Sequence, residues 1–238
     1  MSAKCVRLIL LLLPALCAQA QEPTFMGAAT HPGQGQLYSR ALFMADDNDE
    51  YEAHVRLAYG IISRMALVLD GHHEWLADES DYSSLTARLK YRVLQRDFGP
   101  INTWRASIVG GVEFPEYDDP APHLGAVTTA IINRHGLNGQ IDWAGYASDP
   151  DEFMVNASHL YRLSPAKYRI DTKGAWYTQL EWLNTIYDNG DYEMYLAPGL
   201  LYEARSWAAE TGIRLPVAEE GNTADADITV AAGLRYLF

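Results

Sequence analysis

Beyond residue 35 the chain alternates apolar with polar or small positions in short runs, and clusters of Gly, Pro, Asn and Asp separate the runs. The last run is the plainest. In DITVAAGLRYLF, the residues Ile228, Val230, Ala232, Leu234, Tyr236 and Phe238 form an apolar set. Asp227, Thr229, Ala231, Gly233 and Arg235 make the other set small or polar, with Leu237 as its exception. A period of two is that of an extended strand with one apolar face. The same split recurs upstream. In SSLTARLKYRV, Leu85, Ala87, Leu89, Tyr91 and Val93 oppose Ser84, Thr86, Arg88, Lys90 and Arg92. In TWRASIVGGVE, Trp104, Ala106, Ile108, Gly110 and Val112 oppose Arg105, Ser107, Val109, Gly111 and Glu113. WAAETGIRLPV sets Trp207, Ile213 and Leu215 against Glu210, Gly212 and Arg214, and AHVRLAY sets Val55, Leu57 and Tyr59 against His54 and Arg56. The runs near 122–134 and 153–163 admit either parity.

Twelve strands are predicted, near 36–45, 51–61, 64–72, 82–95, 101–114, 122–134, 137–147, 153–163, 170–187, 191–203, 206–217 and 226–238. Crossing a bilayer takes roughly nine to eleven residues of tilted strand, so the lengths fit. A soluble β-sandwich would alternate as well. Here, however, the apolar set carries Trp and Tyr near the strand ends, as at the two interfaces of a membrane barrel, and the last strand stops on Phe238. After the first twenty residues no segment approaches eighteen continuous apolar positions, so spanning a membrane requires a closed barrel. The expected fold is all-β: an antiparallel up-and-down transmembrane β-barrel of about 12 strands over residues 36–238.

The N-terminal stretch follows another pattern. Lys4 and Arg7 precede an apolar run from Leu8 to Leu16, and Ala18-Gln19-Ala20 supplies a small-residue cleavage site before Gln21. Residues 1–20 therefore read as a cleaved signal peptide, and residues 21–35 as a short periplasmic lead, in the Gly/Pro-rich stretch EPTFMGAATHPGQGQ. Both cysteines, Cys5 and Cys17, lie in the signal, which excludes disulfides and thiolate metal or redox sites from the mature chain. Loss of Lys4 and Arg7 takes the formal charge from −13 to −15, so nucleic acid is not an expected partner.

The acids are sorted by connection. The odd connections hold Asp46, Asp47, Asp49 and Glu50; Glu74, Asp78, Glu79 and Asp81; Glu116, Asp118 and Asp119; then Asp149, Asp151 and Glu152; Asp188 and Asp191; and Glu219, Glu220 and Asp225. None of them holds a Lys or Arg, whereas the even connections carry Arg64, Arg96, Arg134, Lys167 and Arg205. The expected location is the outer membrane, with both termini periplasmic and the acidic loops extracellular. The acids solvate those loops or share divalent cations with lipopolysaccharide phosphates. Outer-membrane lipid, lipopolysaccharide and the barrel-assembly machinery are the expected partners, with Tyr236 and Phe238 as the C-terminal assembly signal.

The inward parity places a basic wall of Arg56, Arg88, Lys90, Arg92 and Arg105 on the second, fourth and fifth strands. Glu181, Glu193, Glu203 and Glu210 form an acidic wall on the ninth to eleventh. Across a narrow lumen these walls would either set up a transverse field at a constriction or pair into a network that only stabilises the barrel. A catalytic Ser–His pair finds one local candidate, Ser158-His159, but adjacent strand residues point to opposite faces. His72 and His73 beside Glu74 diverge in the same way. No catalytic residue, metal site or cofactor is expected.

The final third adds a resemblance. Pro198-Gly199 followed by Leu201-Tyr202, Arg205-Ser206-Trp207, Glu210-Thr211-Gly212, Leu215-Pro216-Val217 and the closing Gly233-Leu234-Arg235-Tyr236-Leu237-Phe238 carry it. This stretch resembles the outer-membrane barrels assigned to the meta pathway of phenol degradation. The resemblance implies a transmembrane channel for small aromatic or hydrophobic solutes by passive diffusion, distantly like fatty-acid channels. The lead is shorter than the folded hatch with which fatty-acid channels are plugged, which points to small solutes. A non-conducting anchoring barrel is the alternative, and an outer-membrane lipid hydrolase a more distant one.

Overall fold

Each alternating run is a strand, and the strands close on themselves. The computed structural model describes residues 22–48, 50–75, 81–99, 102–169, 171–221 and 227–238. The signal segment 1–20 lies outside the described residues, as do Asp49, Asp78, Glu79 and Asp225. The strands are β1 (Leu37–Asp46), β2 (Tyr51–Ile62), β3 (Met65–Trp75), β4 (Tyr82–Phe98), β5 (Asn102–Pro115) and β6 (Ala121–Ile132). They continue as β7 (His135–Ala144), β8 (Glu152–Ser164), β9 (Gly174–Tyr187), β10 (Tyr192–Ala204), β11 (Trp207–Glu220) and β12 (Thr229–Leu237). Every strand pairs antiparallel with its sequence neighbours, and β1 pairs with β12 from Tyr38↔Leu237 to Asp46↔Thr229. Closure leaves no sheet edge, so every strand can satisfy its backbone groups on both sides.

The pleat sorts the side chains as the alternation requires. Leu57, Leu89, Ile108, Leu124, Ile141, Leu180, Val230 and Leu234 all point outward and are exposed. Their luminal neighbours Lys90, Ser107, Thr129, Asp142, Glu181 and Arg235 are buried. An exposed apolar belt of this extent is a lipid-facing surface. Aromatic residues mark both its margins. Tyr51, Trp75, Phe114, Trp143 and Phe153 lie at the end of the odd-numbered connections, the loop end. Tyr59, Tyr91, Trp104, Trp176, Trp207 and Tyr236 lie at the opposite, terminal end. The two parities left open resolve as Ala121, His123, Val127 and Thr129 inward on β6, and Ser158, Leu160 and Arg162 inward on β8.

The turn at the terminal end between β6 and β7 is tight enough to hold Asn133 at φ 58°, a left-handed conformation that asparagine tolerates better than most residues. Strand limits differ from expectation where charge had suggested loop. β3 continues to Trp75 and β4 to Phe98, so Glu74 and Arg96 belong to strands rather than connections. Glu74 is half-buried at the loop end of the inner face.

Periodicity gave the lead no place in the fold. Residues 22–35 run inside the barrel. Thr24, Met26, Ala28 and Ala29 are buried. Phe25 and Met26 pack against Leu183, Tyr195 and Ala197, and Phe25 also against Leu42, Met44 and Ala231. The segment leaves the lumen by docking on β2, where Gly35 N donates to Gly60 O at 2.8 Å and Gly60 N to Gln36 O at 3.0 Å. A Cβ on Gly60 would sit 2.0 Å from the Gly33 carbonyl, so the lead can approach only because that position has no side chain.

Candidate functional site: the lumen and its N-terminal segment

The lead has no secondary structure of its own, so its backbone groups must find partners among luminal side chains. Glu181 of β9, fully buried, accepts hydrogen bonds from Thr24 N (2.7 Å), Phe25 N (3.0 Å) and Met26 N (3.2 Å). Across the bore, Gly27 N donates to Gln140 of β7 at 2.7 Å and Ala29 N to Thr129 of β6 at 2.8 Å. Lys90 of β4 donates to the carbonyls of Ala28 and Thr30, and Ser107 of β5 to that of Ala29. The lead therefore ties the β9–β12 side of the barrel to the β4–β7 side.

Glu22 anchors its start. The carboxylate accepts from Tyr38 Oη at 2.6 Å and Arg56 Nη1 at 3.1 Å. Burial alone would raise its pKa. Arg56, then Arg40, Arg235 and Lys90, outweigh burial and hold it down at about 2. At the other end of the lead, burial lowers the pKa of His31 below the ordinary imidazole value, with Arg92 and Lys90 acting in the same direction against its hydrogen bond to the Pro32 carbonyl.

The sequence-predicted charges do not sort into two walls of single sign. Arg56 and Arg88 both bind Asp70 of β3, Arg56 at 2.5 Å, and Arg88 also lies 3.9 Å from Asp142. Lys90 serves the lead, and Arg92 donates to the Ser63 carbonyl at the β2–β3 turn. Arg105 is buried near the terminal end of β5. On the other side, Glu210 is bracketed by two cations the sequence reading left out of the walls, Arg40 (2.8 Å) and Arg235. Register explains the cluster: Arg40 pairs with Arg235 across β1–β12, and Glu210 pairs with Gly233 across β11–β12, which leaves room for both guanidinium groups. Glu193 accepts from Tyr187 Oη (3.1 Å) and Tyr195 Oη (2.9 Å) near the loop end. Glu203 sits at the terminal end of β10, away from the other three. Partner choice among these charges depends on register and on the lead, neither of which periodicity reports.

Two cavities flank the lead. One, of about 90 Å³, lies on the β2–β7 side and is lined by Arg56, Val68, Arg88, Lys90, Val109 and Gln140 among others. The second, of about 230 Å³, opens toward the loop end between Thr24 and Phe25 below and Glu52, His54, Glu193 and Arg214 above. Ser158 and His159 stand on opposite faces: Ser158 accepts from Asn138 inside the lumen at 3.0 Å, and His159 meets His135 outside at 2.9 Å. Tyr236 and Phe238 pack against each other on the outer face at the terminal end, ring centres 4.4 Å apart and planes tilted by 55°.

No family model matches the chain, and no curated protein matches it. Among solved structures the barrel is similar to the NanC porin, at 11% identity and a TM-score of 0.58 over 84% of this chain and 98% of that one. It is similar to the KdgM porin at 9% identity and a TM-score of 0.57, over 84% of this chain and 99% of that one. An outer membrane channel from Pseudomonas putida F1 is 12% identical with a TM-score of 0.54, over 91% of this chain and all of that one. At such identities the likeness is one of fold: a closed barrel of outer-membrane type, matched along nearly the whole length of each of these chains.

Proposed function

We propose that this chain is an outer-membrane channel through which small solutes diffuse past, or after displacement of, the luminal N-terminal segment. Both termini would be periplasmic and the acidic odd connections extracellular, with Tyr236 and Phe238 presented to the assembly machinery during insertion. The observation that carries the reading is the way the bore is filled. The lead is an irregular, bent segment, held largely by hydrogen bonds to luminal side chains, and it leaves cavities of about 90 and 230 Å³ beside it. Such a segment can be displaced without dismantling the barrel, because none of the strand pairings depends on it. The fold neighbours titled as porins and as a channel support the same reading. The resemblance of the C-terminal third points to small aromatic or hydrophobic solutes. Val68, Val109 and Val127 beside Arg56 and Arg88 offer such a molecule an apolar surface and a charged one.

The lead also favours a second reading, a non-conducting barrel whose lumen is stitched shut. Planar-bilayer conductance of the purified barrel, with and without residues 22–32, separates the two. The channel reading expects ion current from the intact barrel and a larger current from the shortened one. Current only from the shortened form would support the stitched barrel, and no current from either would end the channel proposal.

A further inference from the structure

The loop-end mouth of the lumen contains a cluster that the barrel's closure and the lead do not use. Glu52 and His54 are alternate inward residues of β2, and His72 and Glu74 are alternate inward residues of β3. Register sets them face to face, Glu52 opposite Glu74 and His54 opposite His72. The two imidazole rings stack with centres 4.2 Å apart and planes 19° from parallel. Glu52 Oε2 lies 3.0 Å from His54 Nε2 and 3.5 Å from His72 Nε2, and His72 Nε2 lies 3.3 Å from Glu74 Oε1. The ligand atoms of Glu52, His54 and His72 all fall within 4.8 Å of one another.

From these distances we infer a binding site for a borderline divalent transition-metal ion, of the Zn²⁺, Cu²⁺ or Ni²⁺ class, at the mouth of the lumen. Donor atoms about 2.0–2.2 Å from a tetrahedral metal are separated from each other by roughly 3.3–3.6 Å. Glu52 Oε2 lies 3.0 and 3.5 Å from the two Nε2 atoms, at or just under that range, and a tilt of the near-parallel rings would turn both nitrogens toward a shared ion. The donor set selects the metal: two imidazole nitrogens favour zinc, copper or nickel over calcium or magnesium, which take oxygen. Without a metal, His54 Nε2–H donates to Glu52 Oε2 at 3.0 Å; a metal ion would take the place of that proton, each ring then being its Nδ1–H tautomer with an Nε2 lone pair for the ion. Arg214 Nη2, 3.7 Å from Glu52 Oε1, holds the carboxylate by its other oxygen. Glu74 Oε1 lies 3.3 Å from His72 Nε2 but outside the three-residue donor group, and Tyr82 meets the His72 ring edge-on at 6.1 Å. Glu52 and His54 also line the larger cavity, which gives the ion a route from solvent.

The test uses the untagged mature barrel, folded in detergent micelles and stripped with a chelator. Zn²⁺ titration calorimetry is expected to give one saturable site per chain. Cu²⁺ electron paramagnetic resonance of the same protein should show hyperfine coupling to two imidazole nitrogens, a readout that needs no variant. His54→Ala and His72→Ala should each abolish saturable binding. The double variant H135A/H159A, which removes the histidine pair on the outer face, should retain it. The proposal fails if the unaltered barrel binds no Zn²⁺ saturably, or if Cu²⁺ shows no nitrogen coupling. It fails equally if the outer pair carries the binding, or if equimolar Ca²⁺ displaces the bound Zn²⁺.

Discussion

Glu181→Ala should free the N-terminal segment while leaving the barrel folded. The Glu181 carboxylate is fully buried and accepts from the amides of Thr24, Phe25 and Met26. With the lead still docked, alanine would leave those three donors without their acceptor. Each buried group left unmade costs about 1–3 kcal/mol, so even the lower figure gives about 3 kcal/mol in total. The molecule has a cheaper outcome than carrying this penalty, since the lead can leave the bore and hydrate its amides. At about 1.4 kcal/mol per factor of ten, the undocked fraction should rise roughly a hundredfold. Hydrogen exchange followed by mass spectrometry reads this directly. Amides of residues 24–29 should lose about two orders of magnitude in protection while those of β5–β7 keep theirs. Glu203→Ala serves as control, because Glu203 lies at the terminal end of β10 and makes no contact with the lead among the hydrogen bonds described. Unchanged protection at residues 24–29 would refute the assignment of Glu181 as the anchor. Simultaneous loss over lead and strands would refute the claim that the lead undocks independently.

Three other expectations follow from the same structure. Glu210→Gln removes the carboxylate between Arg40 and Arg235, each only 7% exposed, and should lower barrel stability by about 3–5 kcal/mol in urea titrations from lipid vesicles; a loss below about 1 kcal/mol would count against a buried cluster. Ile108→Arg, at the middle of β5 on the exposed apolar face, should cost about 2–4 kcal/mol in the same assay and slow insertion, whereas a neutral result would argue that this face does not meet lipid. Acid should loosen the lead: with the Glu22 pKa held at about 2, below its ordinary 4.5, its contribution to docking is complete above the ordinary value and is lost as pH falls toward 2. Exchange of the lead amides should therefore accelerate across that window, and Glu22→Gln should flatten the dependence at the cost of weaker docking at neutral pH.

The strand count, the outer face and the inner face were legible because a strand's side chains alternate locally. Leu85, Leu89 and Tyr91 declare an apolar face without reference to any other part of the chain. Acidic residues misled the reading where a strand runs on beyond the expected loop boundary, as with Glu74 on β3 and Glu220 at the end of β11, since loop and strand end expose a carboxylate alike. His72 was weighed only against its chain neighbours: the pleat turns His73 away but leaves Glu74 on the same face, 3.3 Å off, and the register partner His54 lies on the preceding strand. Cross-strand neighbours follow from register, and register follows from how the whole sheet closes.

The sequence by itself determined a barrel of about twelve two-faced strands, because period-two alternation is written residue by residue in most of them; only β6 and β8 left their inward face to the structure. Only the tertiary structure decided what fills the barrel. The stretch EPTFMGAATHPGQGQ has no period to read, and its place in the lumen is set by acceptors and donors more than a hundred residues away, Glu181 and Gln140 among them, and by the room that Gly60 leaves. A segment without secondary structure takes its conformation from the groups that satisfy its backbone, and those groups come together only once the sheet has closed.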